Sequence, residues 1–150
     1  MMLFRAIAAF VALPGMVAFA IPVAIGLSSG RPVRHGIVAA ILLILGTLLL
    51  LWCVREFYVA GRGTLAPWDP PRHLVTTGPY AISRNPMYAG VIAILVGWCV
   101  LWDSIPLLIY ALLCAIGFHL RVVLYEEHWA ARRFGAVWDA YRAQVARWLL

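Results

Sequence analysis

A chain of 150 residues that is 65% hydrophobic and 12% charged, with a mean hydropathy of +0.92, carries more apolar surface than a soluble domain of its size can bury. Its formal charge of +6 comes from arginine alone, and the arginines flank apolar runs instead of forming a basic stripe, so a lipid bilayer is the expected partner and nucleic acid is not. Cys53, Cys99 and Cys114 each sit inside an apolar run without metal-type spacing, which argues for core packing and against a zinc site or a disulfide.

In chain order, residues 4–27 form the first expected span, since about 20 uncharged residues cross a hydrocarbon core of roughly 30 Å. Arg5 and Ala18-Phe19-Ala20 have the look of a secretory signal, but the apolar run continues to Leu27, which favours a spanning helix. Pro14-Gly15 and Pro22 should kink it, tolerably so if neighbours satisfy the freed carbonyls. After a turn rich in Gly, Pro and Arg, a second span is expected over residues 36–56. Gly61 to Thr77 reads as a loop. Its Gly61-Arg62-Gly63 triplet follows no strand and lacks the third glycine of a dinucleotide fingerprint, and Trp68 suits the membrane interface.

A third span is expected over residues 86–102, joined by Asp103-Ser104 and Pro106 in a tight hairpin to a fourth over residues 105–125. Beyond Glu127, Phe134, Val137, Trp138, Tyr141, Val145 and Trp148 recur near helical spacing, as in an amphipathic helix lying on the membrane or folded over the bundle. The expected fold is therefore all-α: one multi-pass domain over residues 1–150, with four transmembrane helices and an amphipathic cytoplasmic segment. Ten arginines then share the side of both termini and only Arg31 and Arg34 the other, which makes the termini cytoplasmic.

Polar chemistry enters at Gly78-Pro79-Tyr80 and Arg84-Asn85-Pro86-Met87-Tyr88. Asn85 suits an N-cap and Pro86 the first helical position, so a helix start with uncommitted amides lies beside the planar donor fork of Arg84, a corner fit for a carboxylate or phosphate. Counted from the hairpin apex, Arg84 and Glu126 both lie roughly 30 Å away at 1.5 Å per residue, hence at one membrane level. On a regular helix His119 and Glu126 differ by about 20° and face one groove, whereas Glu127 is turned about 100° away, towards Arg132 or Arg133. Two readings stay open: structural pairing of Arg84 or Arg121 with Glu126, or a zwitterionic ligand with its carboxylate at Arg84 and Asn85 and its ammonium at Glu126 or Glu127. Tyr80 and Tyr88 offer ring faces to a flat base or a cationic centre.

These residues, with Phe134-Gly135, Tyr141 and Val145-x-Arg147-Trp148, resemble the membrane methyltransferases typified by isoprenylcysteine carboxyl methyltransferase and phospholipid N-methyltransferase. The resemblance runs from Gly61 onwards and implies S-adenosylmethionine bound within residues 76–150, closed over by the C-terminal segment. It implies cofactor contacts from Gly78, Tyr80, Arg84, Asn85, Pro86, Tyr88, Glu126 and Glu127, with Arg84 and Glu127 in catalytic roles; His119 is added from its helix face alone. Asn85 stands where many relatives have histidine, and Trp148 is not followed by the usual proline. The implied reaction is methyl transfer to a hydrophobic or lipid-borne acceptor. The rivals are a nicotinamide-dependent sterol-type reductase, which has a similar Arg-x-Pro-x-Tyr layout, and a non-enzymatic transporter or subunit.

Overall fold

A computed structural model describes residues 11–63 and 71–148. The first helical segment opens as a π-helix, Val11–Ala20, and continues as α1, Ile21–Ser28. Then follow α2 (Gly36–Val59), a 3₁₀ turn (Gly78–Ala81), α3 (Pro86–Trp102) and α4 (Ile105–Arg121), which widens into a π-turn (Val122–Glu126) before α5 (Glu127–Phe134), and last α6 (Ala136–Gln144). The described residues contain no strand, only an isolated bridge between Ser83 and Ala146, so the all-α expectation holds.

Four spanning helices are more than length alone supports. Among the described residues two helices are long and apolar enough to cross a membrane: the 24 residues of Gly36–Val59 and the 30 of Ile105–Phe134, about 36 and 45 Å long at 1.5 Å per residue. Pro86–Trp102 has 17 residues, because Pro86 fixes its start and the left-handed Asp103 (φ 46°) ends it, and at about 25 Å it falls short of the hydrocarbon core. The expected start of the first span, Arg5 and Trp68 lie outside the described residues. Ile37, Ile41, Ile44, Leu45 and Leu48 on α2, and Leu108, Leu112, Ile116 and Leu120 on α4, are exposed, as an apolar solvent allows. The chain is that of a membrane protein.

The proline kink is compensated as membrane helices require. Pro22 has no N–H to offer the carbonyl four residues back, and the Trp98 indole donates to that Ala18 oxygen at 2.8 Å while the Tyr110 hydroxyl donates to the Val17 oxygen at 3.0 Å. Two aromatic residues of α3 and α4 thereby hold the first helical segment against the hairpin. The tightest approach joins α2 to α3. A Cβ on Gly46 would lie 2.9 Å from the Gly90 oxygen, and one on Gly90 would lie 3.1 Å from the Gly46 oxygen, so only hydrogen fits at either place. Leu50, Ile94 and Leu95 are fully buried along this seam.

At the far end, the Arg34 amide donates to the Leu101 oxygen at 2.7 Å, tying the first connection to the hairpin apex. Ser104 flanks α4 without a side-chain cap, and Pro106 supplies the start. At the near end, Gly135 (φ 54°) separates α5 from α6 and resets the helical phase. Trp138 and Tyr141 are consequently buried with Ala130, whereas Val137, expected on the same apolar face, is exposed.

Candidate functional site

The site forms where α3 begins. Gly78 adopts φ 59°, a conformation that favours glycine, and a Cβ there would lie 3.1 Å from the Glu56 carboxyl carbon. Glu56 is buried at the end of α2; it accepts from the Thr77 hydroxyl at 2.6 Å and from Arg55 Nη1 at 2.9 Å, so the turn is pinned to α2. Tyr80, beside Gly78 in the turn, is buried next to Cys53, and its hydroxyl has no oxygen or nitrogen partner among the described residues. Burial holds that phenol well above its ordinary pKa, so it remains protonated. Its carbonyl accepts the Tyr141 hydroxyl of α6 at 2.6 Å, locking the amphipathic segment over the turn.

Residues 83–85 then meet the C-terminal strap, residues 145–148. The Arg84 amide donates to the Ala146 oxygen at 2.9 Å, and Ser83 Oγ and Asn85 Nδ2 donate to the Arg147 oxygen at 3.3 and 3.0 Å. Asn85 is therefore not the side-chain cap that local sequence suggests; its amide serves the strap.

The acidic pair divides. Glu126 Oε1 accepts from the Tyr88 hydroxyl at 2.5 Å and from Arg121 Nε at 2.7 Å. Glu127 accepts Arg84 Nη1 at 2.9 Å, and Arg147 holds both its oxygens at 2.8 Å. Glu127 thus meets neither Arg132 nor Arg133, both of which are exposed. Arg132 and Arg133 lie five and six positions on along the same α-helix, about 140° and 120° round from Glu127, so they do not share its face; the π-turn over Val122–Glu126, with its slower angular advance, shifts the pair relative to α4. The same turn separates His119 from Glu126. His119 is exposed and stacks on Trp148, ring centroids 6.1 Å apart.

Between these elements lies a cavity of about 400 Å³, within the range of small-molecule sites. Its polar wall comprises Tyr80, Arg84, Asn85, Tyr88, Arg121, Glu126 and Tyr141. Its apolar wall comes from Pro14 and Val17, Met87 and Val91 of α3, Phe118 and Tyr125, and Trp129, Phe134 and Trp138. Tyr88 stacks on Phe118 at 4.6 Å, and the Arg84 guanidinium sits 5.5 Å from the Trp138 ring centroid. Arg84 Nε is enclosed and has no partner among the described residues, on a side chain only 11% exposed.

Of the residues singled out in the sequence, Tyr80, Arg84, Asn85, Tyr88 and Glu126 line this cavity, whereas Gly78, Pro86, His119 and Glu127 do not. Gly78 and Pro86 shape backbone, and Glu127 stands behind Arg84. Sequence reasoning missed Arg121, Phe118 and Trp138 as wall residues, and Glu56 as the pin of the turn. Trp138 and Tyr141, three apart on an amphipathic segment, carried a usable signal; a glutamate closing a long apolar run, as Glu56 does, was another.

Residues 35–137, more than two thirds of the chain, match the phospholipid methyltransferase family. The chain belongs to that family. The matched stretch carries Arg84 and both glutamates but stops before Tyr141 and Arg147, so the strap lies outside it. Similarity also extends to the nickel-cobalt-cadmium resistance protein NccN of Alcaligenes xylosoxydans xylosoxydans, 34% identical over 87 residues that cover 56% of this chain and 35% of that protein. The chain thus spans about a third of that relative's length. No solved structure matches.

Proposed function

We propose that this protein transfers a methyl group from S-adenosylmethionine to a hydrophobic or lipid-borne acceptor at the cytoplasmic edge of the membrane. The observation that carries the reading is the chemistry of the cavity: an arginine at one place, a carboxylate at another, and aromatic walls between. Those groups suit a ligand with a carboxylate, an ammonium and a flat base. Arg84 and the first turn of α3 would hold the carboxylate, Glu126 the ammonium, and the rings of Tyr88, Phe118 and Trp138 the base. When bound, S-adenosylmethionine supplies an electrophilic methyl group on a sulfonium.

The chain's own contribution is positioning and the exclusion of water. Pro14, Val17, Met87 and Val91 extend the cavity with apolar surface, where the tail of an acceptor entering sideways from lipid would lie. An amine or thiol acceptor must lose a proton, and Glu126 is the carboxylate on the cavity wall able to take it; a carboxylate acceptor needs no base. The four-span topology belongs to this proposal: an α3 that is tilted little or starts slightly inside the headgroup layer completes the bundle, and Arg31 and Arg34 mark the non-cytoplasmic end.

The test is calorimetry on detergent-purified protein with S-adenosylmethionine and, separately, a reduced nicotinamide dinucleotide. Saturable binding of the first alone is expected. Binding of the nicotinamide cofactor instead would favour the reductase reading, and binding of neither would favour a non-enzymatic role.

A further inference from the structure

Glu127 does not itself line the cavity but stands behind Arg84, which does. Both its oxygens are occupied: Oε1 by Arg84 Nη1 at 2.9 Å and Arg147 Nε at 2.8 Å, Oε2 by Arg147 Nη2 at 2.8 Å. That is a fork-on-fork pair to Arg147 with a third bond to Arg84, and the carboxylate is 18% exposed. Arg147 belongs to the strap, whose carbonyls at 146 and 147 take the Arg84 amide, the Ser83 hydroxyl and the Asn85 side chain. One carboxylate therefore ties the strap to Arg84, a residue of the cavity wall.

We propose that Glu127 is a positioning residue which acts through Arg84 and Arg147: it orients the Arg84 guanidinium towards the ligand and keeps the strap closed across the start of α3, so that it governs how long a ligand stays and makes no contact with it. This rests on the cofactor reading above. Two features of the geometry support it. Arg84 would be free to swing away from the cavity without Glu127, since its other neighbour is the face of Trp138. The strap's remaining ties are single neutral hydrogen bonds, each weaker than the charge-assisted pair.

The experiment uses the full chain in detergent, with wild type, Glu127→Gln, Arg147→Gln and the double variant. Hydrogen exchange without ligand should show residues 83–85 and 145–148 exchanging about tenfold faster in either single variant and no faster in the double. Rapid-dilution release of S-adenosylmethionine should speed up by a similar factor in Arg147→Gln and at least as much in Glu127→Gln, which also loosens Arg84, with association changed by less than about threefold, and the double should match Glu127→Gln, because Arg147 acts only through that carboxylate. If Glu127 instead holds the ligand directly, Glu127→Gln abolishes binding while Arg147→Gln does not, or the two effects multiply; either result overturns the inference. Should Arg147→Gln fail to fold, Arg147→Lys keeps the charge without the fork, and release at wild-type speed from Arg147→Lys contradicts the proposal. Wild type that binds no S-adenosylmethionine removes the cofactor reading, whereas the exchange pattern still judges the latch.

Discussion

Replacing Tyr141 by phenylalanine deletes one buried hydroxyl and leaves the Tyr80 carbonyl without the donor that now sits 2.6 Å away. Orphaning a buried acceptor costs about 1–3 kcal/mol, so Tyr141→Phe should lower stability by about that amount at pH 8 while the ring keeps its packing against Trp138. The hydroxyl also predicts a pH signature. Burial pushes the Tyr141 pKa up to about 12, against about 10 in the unfolded chain. A group whose pKa is raised on folding contributes fully below the unfolded value and loses its contribution as pH climbs towards the folded one. Wild type should therefore lose about 1.3 kcal/mol through this residue by pH 11, and the gap between wild type and Tyr141→Phe should narrow by that much. Equilibrium unfolding in mixed micelles at pH 8 and pH 11 measures both. Equal stabilities at pH 8, or a gap that stays constant to pH 11, would refute the hydroxyl's structural role.

Two further outcomes follow from the packing. Gly46→Ala places a methyl group 2.8–2.9 Å from Ile94 and the Gly90 oxygen, two of the contacts being backbone that cannot step aside, and should cost about 1–3 kcal/mol with a lowered melting temperature in detergent. A wild-type melting curve would mean that α2 and α3 are not in contact there. His119→Ala removes a ring that lies outside the cavity and stacks on Trp148, so affinity for S-adenosylmethionine should change by less than about threefold, as judged by calorimetry.

Much of the architecture was legible because proline and glycine punctuate it. Gly36, Pro86 and the Asp103-Ser104 pair mark helix boundaries in the sequence and begin or end helices in the structure. The count from the hairpin apex worked for the same reason: two helices leaving one tight turn at a fixed rise must bring Arg84 and the Glu126-Glu127 pair to the same level. What the sequence concealed depends on register and on distant partners. The π-turn at Val122–Glu126 has no strong local signature, yet it turns Glu126 off the face of His119, so that the glutamate lines the cavity and the histidine does not. Asn85 has the composition of an N-cap, but the Arg147 carbonyl, 62 residues later, competes for its side chain and wins. Gly135 breaks an amphipathic pattern that reads as continuous, which is why Val137 points to solvent.

The account depends most on Arg84, the cavity-wall guanidinium beside the start of α3. Titration of S-adenosylmethionine into wild type and Arg84→Gln tests it directly. Loss of a charge-assisted hydrogen bond of about 1.5–3 kcal/mol predicts affinity weaker by roughly 10- to 150-fold in the variant, with folding retained by circular dichroism. Equal affinity in the two proteins would contradict the placement of the cofactor in this cavity.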